Sequence, residues 1–224
     1  MNISFAKYTD VGSRKVNEDS MLVVQDGSRY LFVVADGLGG HGMGDAASQL
    51  VCETIREYFL SHKPMDGFDE IYRLCQQNLL AKQDELQASS KMRTTLNILW
   101  IEDDTAYWSH IGDSRTYYFS DGQLIKRTFD HSVPQMLAAA GQLEEKEIRF
   151  HEDRNRLLRV MGVSGQAPAF DTEDPIPLRG NQQFLLCSDG FWELITEELM
   201  EDWLNESDDP QFWLDNMLEL VSLN

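Results

Sequence analysis

Apolar positions recur along this chain with two different periods. Residues 3–8 and 21–25 alternate in the manner of short strands, and residues 30–35 form a more continuously apolar run, as expected of a central strand covered on both faces. From residue 46 to 60 the spacing turns helical, with Leu50, Val51, Thr54, Ile55 and Phe59 on one face, and residues 68–89 predict a second helix of the same kind. Four strand-like runs follow, 96–101, 105–111, 115–119 and 123–127, joined by polar turns such as Glu102-Asp103-Asp104 and Asp121-Gly122, which predicts an antiparallel meander. Beyond residue 130 the pattern predicts short helices at 133–140 and 144–148, with Gly141 as a stop between them. A strand at 183–187 and helices at 196–204 and 210–223 complete the chain, the last opened by Asp208-Asp209-Pro210 in cap-like order. Runs of strands separated by helix pairs predict an α+β layered sandwich and not a parallel, doubly wound sheet.

Composition narrows the function more than the fold. A chain of 224 residues with 42% hydrophobic side chains suits one domain with a real core. Its 38 acidic against 19 basic side chains give a formal charge of −19, which argues against a nucleic-acid backbone or an anionic membrane as partner and favours divalent cations or a basic surface. Cys52, Cys75 and Cys187 are scattered, odd in number and set in apolar surroundings, so they read as buried thiols and not as a disulfide or zinc framework. With no secretory h-region at the N-terminus and no apolar run of membrane-spanning length, a cytoplasmic location is expected.

Three apolar runs stop at an aspartate beside a glycine: Val33-Val34-Ala35-Asp36-Gly37, His110-Ile111-Gly112-Asp113 and Leu185-Leu186-Cys187-Ser188-Asp189-Gly190. Carboxylates delivered to strand ends, next to residues that let the backbone turn and approach closely, are how a hard-metal site is built from oxygen ligands. Glu18-Asp19 precedes the strand-like run at 21–25 and is a fourth acidic contributor. The pattern therefore points to a hydrolytic metal centre.

In register, Gly12-Ser13-Arg14-Lys15-Val16-Asn17-Glu18-Asp19, Asp36-Gly37-Leu38-Gly39-Gly40, Thr94-Thr95-Leu96, Gly112-Asp113-Ser114-Arg115, Asp130-His131-Ser132 and Ser188-Asp189-Gly190 resemble the metal-dependent serine/threonine protein phosphatases of type 2C, in a bacterial-type form. The resemblance implies a single catalytic domain over 1–224: a four-layer α-β-β-α sandwich of two antiparallel sheets flanked by helix pairs, with a flap-like segment at about 131–165. It implies a site holding two Mn²⁺ or Mg²⁺ ions, and a third in some members. Asp36 and the Gly37 carbonyl, with Asp189, match the ligands of the first two ions, and Asp113 matches a carboxylate of the third. Glu18 and Asp19 match acids that reach the ions through water, Arg14 matches the phosphate-binding arginine, and Asp130, His131, Arg154 and Asn155 match flap positions. Phosphorylated proteins as substrates, and an opposing serine/threonine kinase, are implied as partners.

Two divalent ions about 3.5 to 4 Å apart share and activate a water for in-line attack on phosphorus, so no covalent nucleophile is required. None of the three cysteines is followed by an arginine at the spacing of a cysteine-based phosphatase loop, and no Walker-type loop is present. The planar fork of Arg14 suits two phosphoryl oxygens, although a surface salt bridge to one of the many acids is its other reading. Thr94 and Thr95 read as structural hydrogen-bonding residues at a strand start. His41 is a candidate general acid by type, but its place in a glycine loop equally fits a loop or capping role. The family closes with Asp-Asn and a β-branched strand; here Asp215-Asn216 falls within the helical pattern of 210–223, so either the terminal strand and its ligand are missing or Asp215 is an irregularly placed substitute. Two functions follow: a working phosphoprotein phosphatase, or a catalytically weakened relative acting as a binding or regulatory module.

Overall fold

The structure, a computed structural model, describes residues 2–38, 42–61, 63–89 and 91–221. Its longer sheet begins with β1 (Asp19–Asp26) and β2 (Arg29–Asp36), followed by helices α1 (Gly44–Leu60) and α2 (Asp69–Glu85) and then β3 (Leu96–Glu102) and β4 (Thr105–Ile111). The chain continues through β5 (Arg115–Ser120), β6 (Gln123–Arg127), α3 (Val133–Ala139), a 3₁₀ turn (Glu145–Phe150), and the two-residue strands β7 (Asp171–Thr172) and β8 (Ile176–Pro177). It ends with β9 (Gln182–Cys187), the short helix α4 (Asp189–Trp192), α5 (Glu197–Asn205) and α6 (Pro210–Val221). The first sheet runs β1-β2-β3-β4-β7, with β8 also on β4, and the second runs β6-β5-β9; every pairing is antiparallel.

Side-chain alternation sorts the strands into layers. Leu31, Val33, Ala35, Leu96, Ile98 and Trp100 face α1 and α2, in one core with Val51, Ile55, Phe59, Ile71 and Leu79. Leu99, Ile101 and Trp108 turn the other way and meet Tyr118, Phe184 and Leu186 of the second sheet. Tyr117 and Phe119 point outward from that sheet onto Met200, Leu204, Trp213 and Met217 of α5 and α6. Three cores between four layers make the expected α-β-β-α sandwich. Because β2 and β3 are covered on both faces, their sequences read as nearly continuous apolar runs.

Two expectations are corrected. Residues 3–8 form no strand: Ile3 packs against the inter-sheet core and Phe5, itself half exposed, lies edge-on to Phe32 at 5.8 Å, so the apolar alternation reflects side-chain contacts made without a backbone ladder. The run 96–127 is not one meander either. It divides at Gly112, where the chain leaves the first sheet after β4 and enters the second at β5; φ is +108° there, a conformation open to glycine and strained for other residues. The strands β7 and β8 and the four-residue α4 are too short to leave a periodic signal.

Trp108 is buried between the sheets, edge-on to Tyr118 at 6.4 Å and to Phe184 at 5.9 Å. Trp108→Ala should lower unfolding free energy by about 3–5 kcal/mol in urea melts. Ile125→Ala, at a side chain 57% exposed, should change it by less than about 0.5 kcal/mol.

Candidate metal centre

The acidic residues meet because antiparallel pairing and the crossing between sheets bring strand ends together. Asp19 begins β1 directly opposite Asp36 at the end of β2, and their carboxyl groups are hydrogen-bonded. The Asp36 N–H donates to Thr95 Oγ1 (2.9 Å), and the Asp36 carbonyl accepts from the Thr95 N–H (2.8 Å) and Thr94 Oγ1 (2.9 Å). Gly37 then passes so close to Gly44 and Glu18 that a Cβ would lie 2.2 Å from the Gly44 carbonyl oxygen and 2.6 Å from that of Glu18. Only glycine fits, which explains why the first run stops at Asp-Gly.

The same threonine reaches the sheet crossing. Thr95 Oγ1 is 2.7 Å from Ser114 Oγ, and its Cγ2 lies 2.5 Å from where a Cβ on Gly112 would sit. Asp113, buried between these residues, enters the same cleft as Asp36. From the second sheet, β9 is followed by Ser188, whose hydroxyl donates to Asp19 Oδ2 (2.7 Å), and then by Asp189 as the first residue of α4. Asp19, Asp36, Asp113 and Asp189 thus line one cleft at one end of the sandwich.

Their electrostatics show what the cleft lacks. Burial raises the Asp36 carboxyl well above the ordinary carboxylate range, and the charges of Asp189, Asp19 and Asp113 push it further. Asp113 is raised likewise, first by burial and then by Asp189 and Asp130. Asp19 is raised by burial and by Asp189, against the opposing hydrogen bond from Ser188. Among the described residues no lysine or arginine forms an ion pair with any of these four side chains. A crowded, all-oxygen donor set short of positive charge fits hard divalent cations.

The other expected residues divide into two groups. Arg14, Glu18, Arg154 and Asn155 line the cleft. Arg14 is exposed on its rim, near enough for its charge to favour ionised Asp19, and makes no ion pair among the described residues; Arg154 Nε donates to Glu193 Oε1 at 2.7 Å. Asp130 and His131 lie outside the cleft lining. Asp130 is buried in a two-pronged pair with Arg115 (2.8 and 2.7 Å), while His131 Nδ1 accepts from the Gly112 N–H (3.1 Å). Asp215 lies exposed within α6, accepting from Gln211 Nε2 (2.8 Å), and is not in the cleft. Among the described residues β9 has no partner on its second edge. Gly39, Gly40 and His41 lie outside the described residues.

A second cluster, His110, His131 and Asp171, also gathers possible ligand atoms. Its rings stack at 4.6 Å, so their in-plane lone pairs do not converge. Because His131 Nδ1 accepts from a backbone N–H, Nε2 carries the proton and donates to Asp171 Oδ2 (3.0 Å), which also takes Arg159 (3.0 Å, at Oδ1). Burial pushes His131 down to about 4, so the ring is neutral, and the cluster reads as a brace between β4, β7 and the segment after Asp130.

Sequence reasoning assigned no supporting role to Ser188, which holds Asp19, to Trp192, whose indole donates to the Asp113 carbonyl, or to Gly44 and Ser114, which meet Gly37 and Thr95. Thr94 and Thr95 were read as structural, and their hydrogen bonds are of that kind. Ser188 was visible only as part of the third Asp-Gly stop, with nothing to signal its reach to Asp19.

The sandwich with an acidic cleft at one end is the architecture of a metal-dependent phosphatase. The sequence profile of the family Protein phosphatase 2C matches residues 10–218. The chain is 31% identical over 205 residues to the serine/threonine phosphatase stp of Listeria welshimeri, covering 88% of this chain and 81% of that protein. The structure of serine/threonine phosphatase Stp1 from Staphylococcus aureus shares the fold with a TM-score of 0.86 at 23% identity, over 99% of this chain and 92% of that one. The catalytic domain of serine threonine protein phosphatase PstP, solved in complex with two manganese ions, superposes with a TM-score of 0.73 at 25% identity, over 93% and 86% of the two chains. This chain belongs to the protein phosphatase 2C family.

An acid whose folded pKa is raised destabilises the fold as pH climbs from its unfolded value, about 4, toward the raised one, because the native state holds the proton that the unfolded state releases. Metal-free protein should therefore lose stability between about pH 4 and neutrality, and Asp36→Asn should flatten that loss. Mn²⁺ at about 100 times its Kd should restore about 2.7 kcal/mol or more, raising Tm by roughly 5–10 °C at this chain length. The Mn²⁺ effect should be larger at pH 8 than at pH 5.5. Scanning calorimetry with and without chelator checks both.

Proposed function

We propose that the chain hydrolyses phosphoserine and phosphothreonine in proteins at a binuclear Mn²⁺ or Mg²⁺ centre, with Asp36, the Gly37 carbonyl and Asp189 as its ligands and Asp113 serving a third ion. The observation that carries this reading is the meeting of four under-neutralised carboxylates in a cleft with an unpaired arginine on its rim. When bound, the cations supply Lewis acidity and an activated water. The protein's own groups do the rest. Asp36 is held by both of its backbone polar groups through Thr94 and Thr95, so its carboxylate is pre-positioned. Glu18 and Asp19 would accept hydrogen bonds from water ordered at the cations. Arg14 receives the phosphoryl oxygens, and Arg154 and Asn155 border the path of the protein substrate. The names of the relatives support protein substrates, and such substrates imply an opposing serine/threonine kinase. Among the described residues no helix is long and apolar enough to cross a membrane, and three buried free thiols suit a reducing compartment such as the cytoplasm.

The exposed place of Asp215 supports a second feature of this reading. The cations rely on Asp36 and Asp189 without a carboxylate from α6, so activity requires abundant Mn²⁺.

The deciding experiment is Mn²⁺-dependent hydrolysis of a phosphothreonine peptide by the purified chain. Asp36→Asn and Asp189→Asn should each remove at least about 99% of it while leaving the folded far-UV spectrum intact. A folded chain inactive across a full Mn²⁺ titration would instead support the binding-module reading.

Arg14→Ala should raise the apparent KM for the peptide and leave Mn²⁺ affinity unchanged, with lysine restoring only part of the loss. Asp215→Ala should be silent in both assays. Loss of metal affinity in Asp215→Ala equal to that in Asp189→Asn would show that the helical aspartate is recruited.

A further inference from the structure

Asp113 and Asp189 each lie two residues beyond the last pair of the β5–β9 ladder, Arg115 opposite Cys187, and each is among the charges that disfavour ionisation of Asp36. The ladder stops at that pair and no hydrogen bond joins the two side chains among the described residues, so their spacing beyond the ladder is open to a further support. The indole of Trp192 spans them. It sits three residues after Asp189 in α4, is 1% exposed, and donates from Nε1 to the backbone carbonyl of Asp113 at 2.9 Å.

The indole is itself clamped. The Arg115 guanidinium lies 3.5 Å over its ring while forking onto Asp130, and Arg149, from the 3₁₀ turn, donates to the Trp192 carbonyl at 3.0 Å and to that of Ile195 at 3.1 Å. Glu197 anchors Arg149 at 2.7 Å. Gly112, immediately before Asp113, has the freest backbone at the crossing between sheets, so a fixed point on Asp113 has most effect there.

Resting on the functional reading above, we propose that Trp192 is a positioning residue: its indole N–H sets the spacing between the Asp113 and Asp189 carboxylates and thereby the affinity for the cation that Asp113 serves. Arg115 and Asp130 act through it, which gives the buried pair a role at the site without contact with substrate.

The test is a calorimetric Mn²⁺ titration of wild type, Trp192→Phe, Asp113→Asn and the double variant. Phenylalanine keeps an aromatic face for Arg115 and removes the donor. Trp192→Phe should weaken the weakest Mn²⁺ step by roughly tenfold, the equivalent of one buried hydrogen bond, and should lower kcat with little change in peptide KM. In the Asp113→Asn background it should weaken Mn²⁺ binding no further. The Mn²⁺-induced rise in Tm, read against each variant's own metal-free baseline, should shrink in parallel, a readout that general destabilisation does not move. Should Trp192→Phe fail to fold, 3-benzothienylalanine at position 192 keeps the bicyclic shape without the N–H and should give the same loss. Wild-type Mn²⁺ binding in either replacement, or an equal loss in the Asp113→Asn background, overturns the role of Trp192 alone. A wild type that binds no Mn²⁺ overturns the functional reading and this inference together.

Discussion

Four carboxylates held at one end of a sandwich repel one another, and the structure around them is arranged to bear that repulsion until cations relieve it. Burial strengthens the effect by removing the water that would screen it. Three of the four are fixed through the backbone or a neutral donor and not through a basic side chain: Asp36 by Thr94 and Thr95, Asp113 by the Trp192 indole, Asp19 by Ser188. A lysine in any of these places would stabilise the metal-free protein and compete with the ion. The basic groups nearby are directed elsewhere, Arg115 onto Asp130 and Arg154 onto Glu193.

This arrangement explains where glycine is indispensable. At Gly37 the constraint is space, since β2 must end against Gly44 and the Glu18 carbonyl. At Gly112 it is conformation as well as space, since the chain changes sheets at positive φ with Thr95 against it. Thr95 links the two places, because it bonds Asp36, the residue before Gly37, on one side and packs on Gly112 on the other. One threonine thus fixes the first carboxylate to the crossing that delivers the third.

Much of this was legible in the sequence, and the boundary has a physical basis. Strands β1 to β6 and β9 and the helices other than α4 carry periodic apolar patterns because each buries a continuous face, and the three Asp-Gly stops reveal the site because a charge at a core edge is costly and conspicuous. Layer membership was not legible. Local alternation is the same on either side of Gly112, so the change of sheet between β4 and β5 leaves no trace in periodicity. The 3–8 segment shows the converse: Ile3 and Phe5 have a strand's spacing because both touch the sheet's side chains, but a ladder also needs a free edge in register, which the pattern does not encode. The supports Ser188 and Trp192 act across 169 and 79 residues of sequence, and no local motif reports contacts of that range.

The overall charge of −19 poses a problem that the cleft resolves locally. A field of that sign draws divalent cations in and holds a phosphorylated substrate off. The bound cations reverse the sign only at the acidic end, over a range set by screening of about 8–10 Å at physiological salt. A phosphate must cross the rest of the approach first. Lys7, Arg14, Arg93, Arg154, Arg156 and Arg179 line that approach, six of the chain's 19 basic residues in one cleft. Arg154 is held by Glu193, while Arg14 stands free of ion pairs among the described residues. On the proposed reading the acidic surface favours the cations and the basic residues of the cleft favour the phosphate.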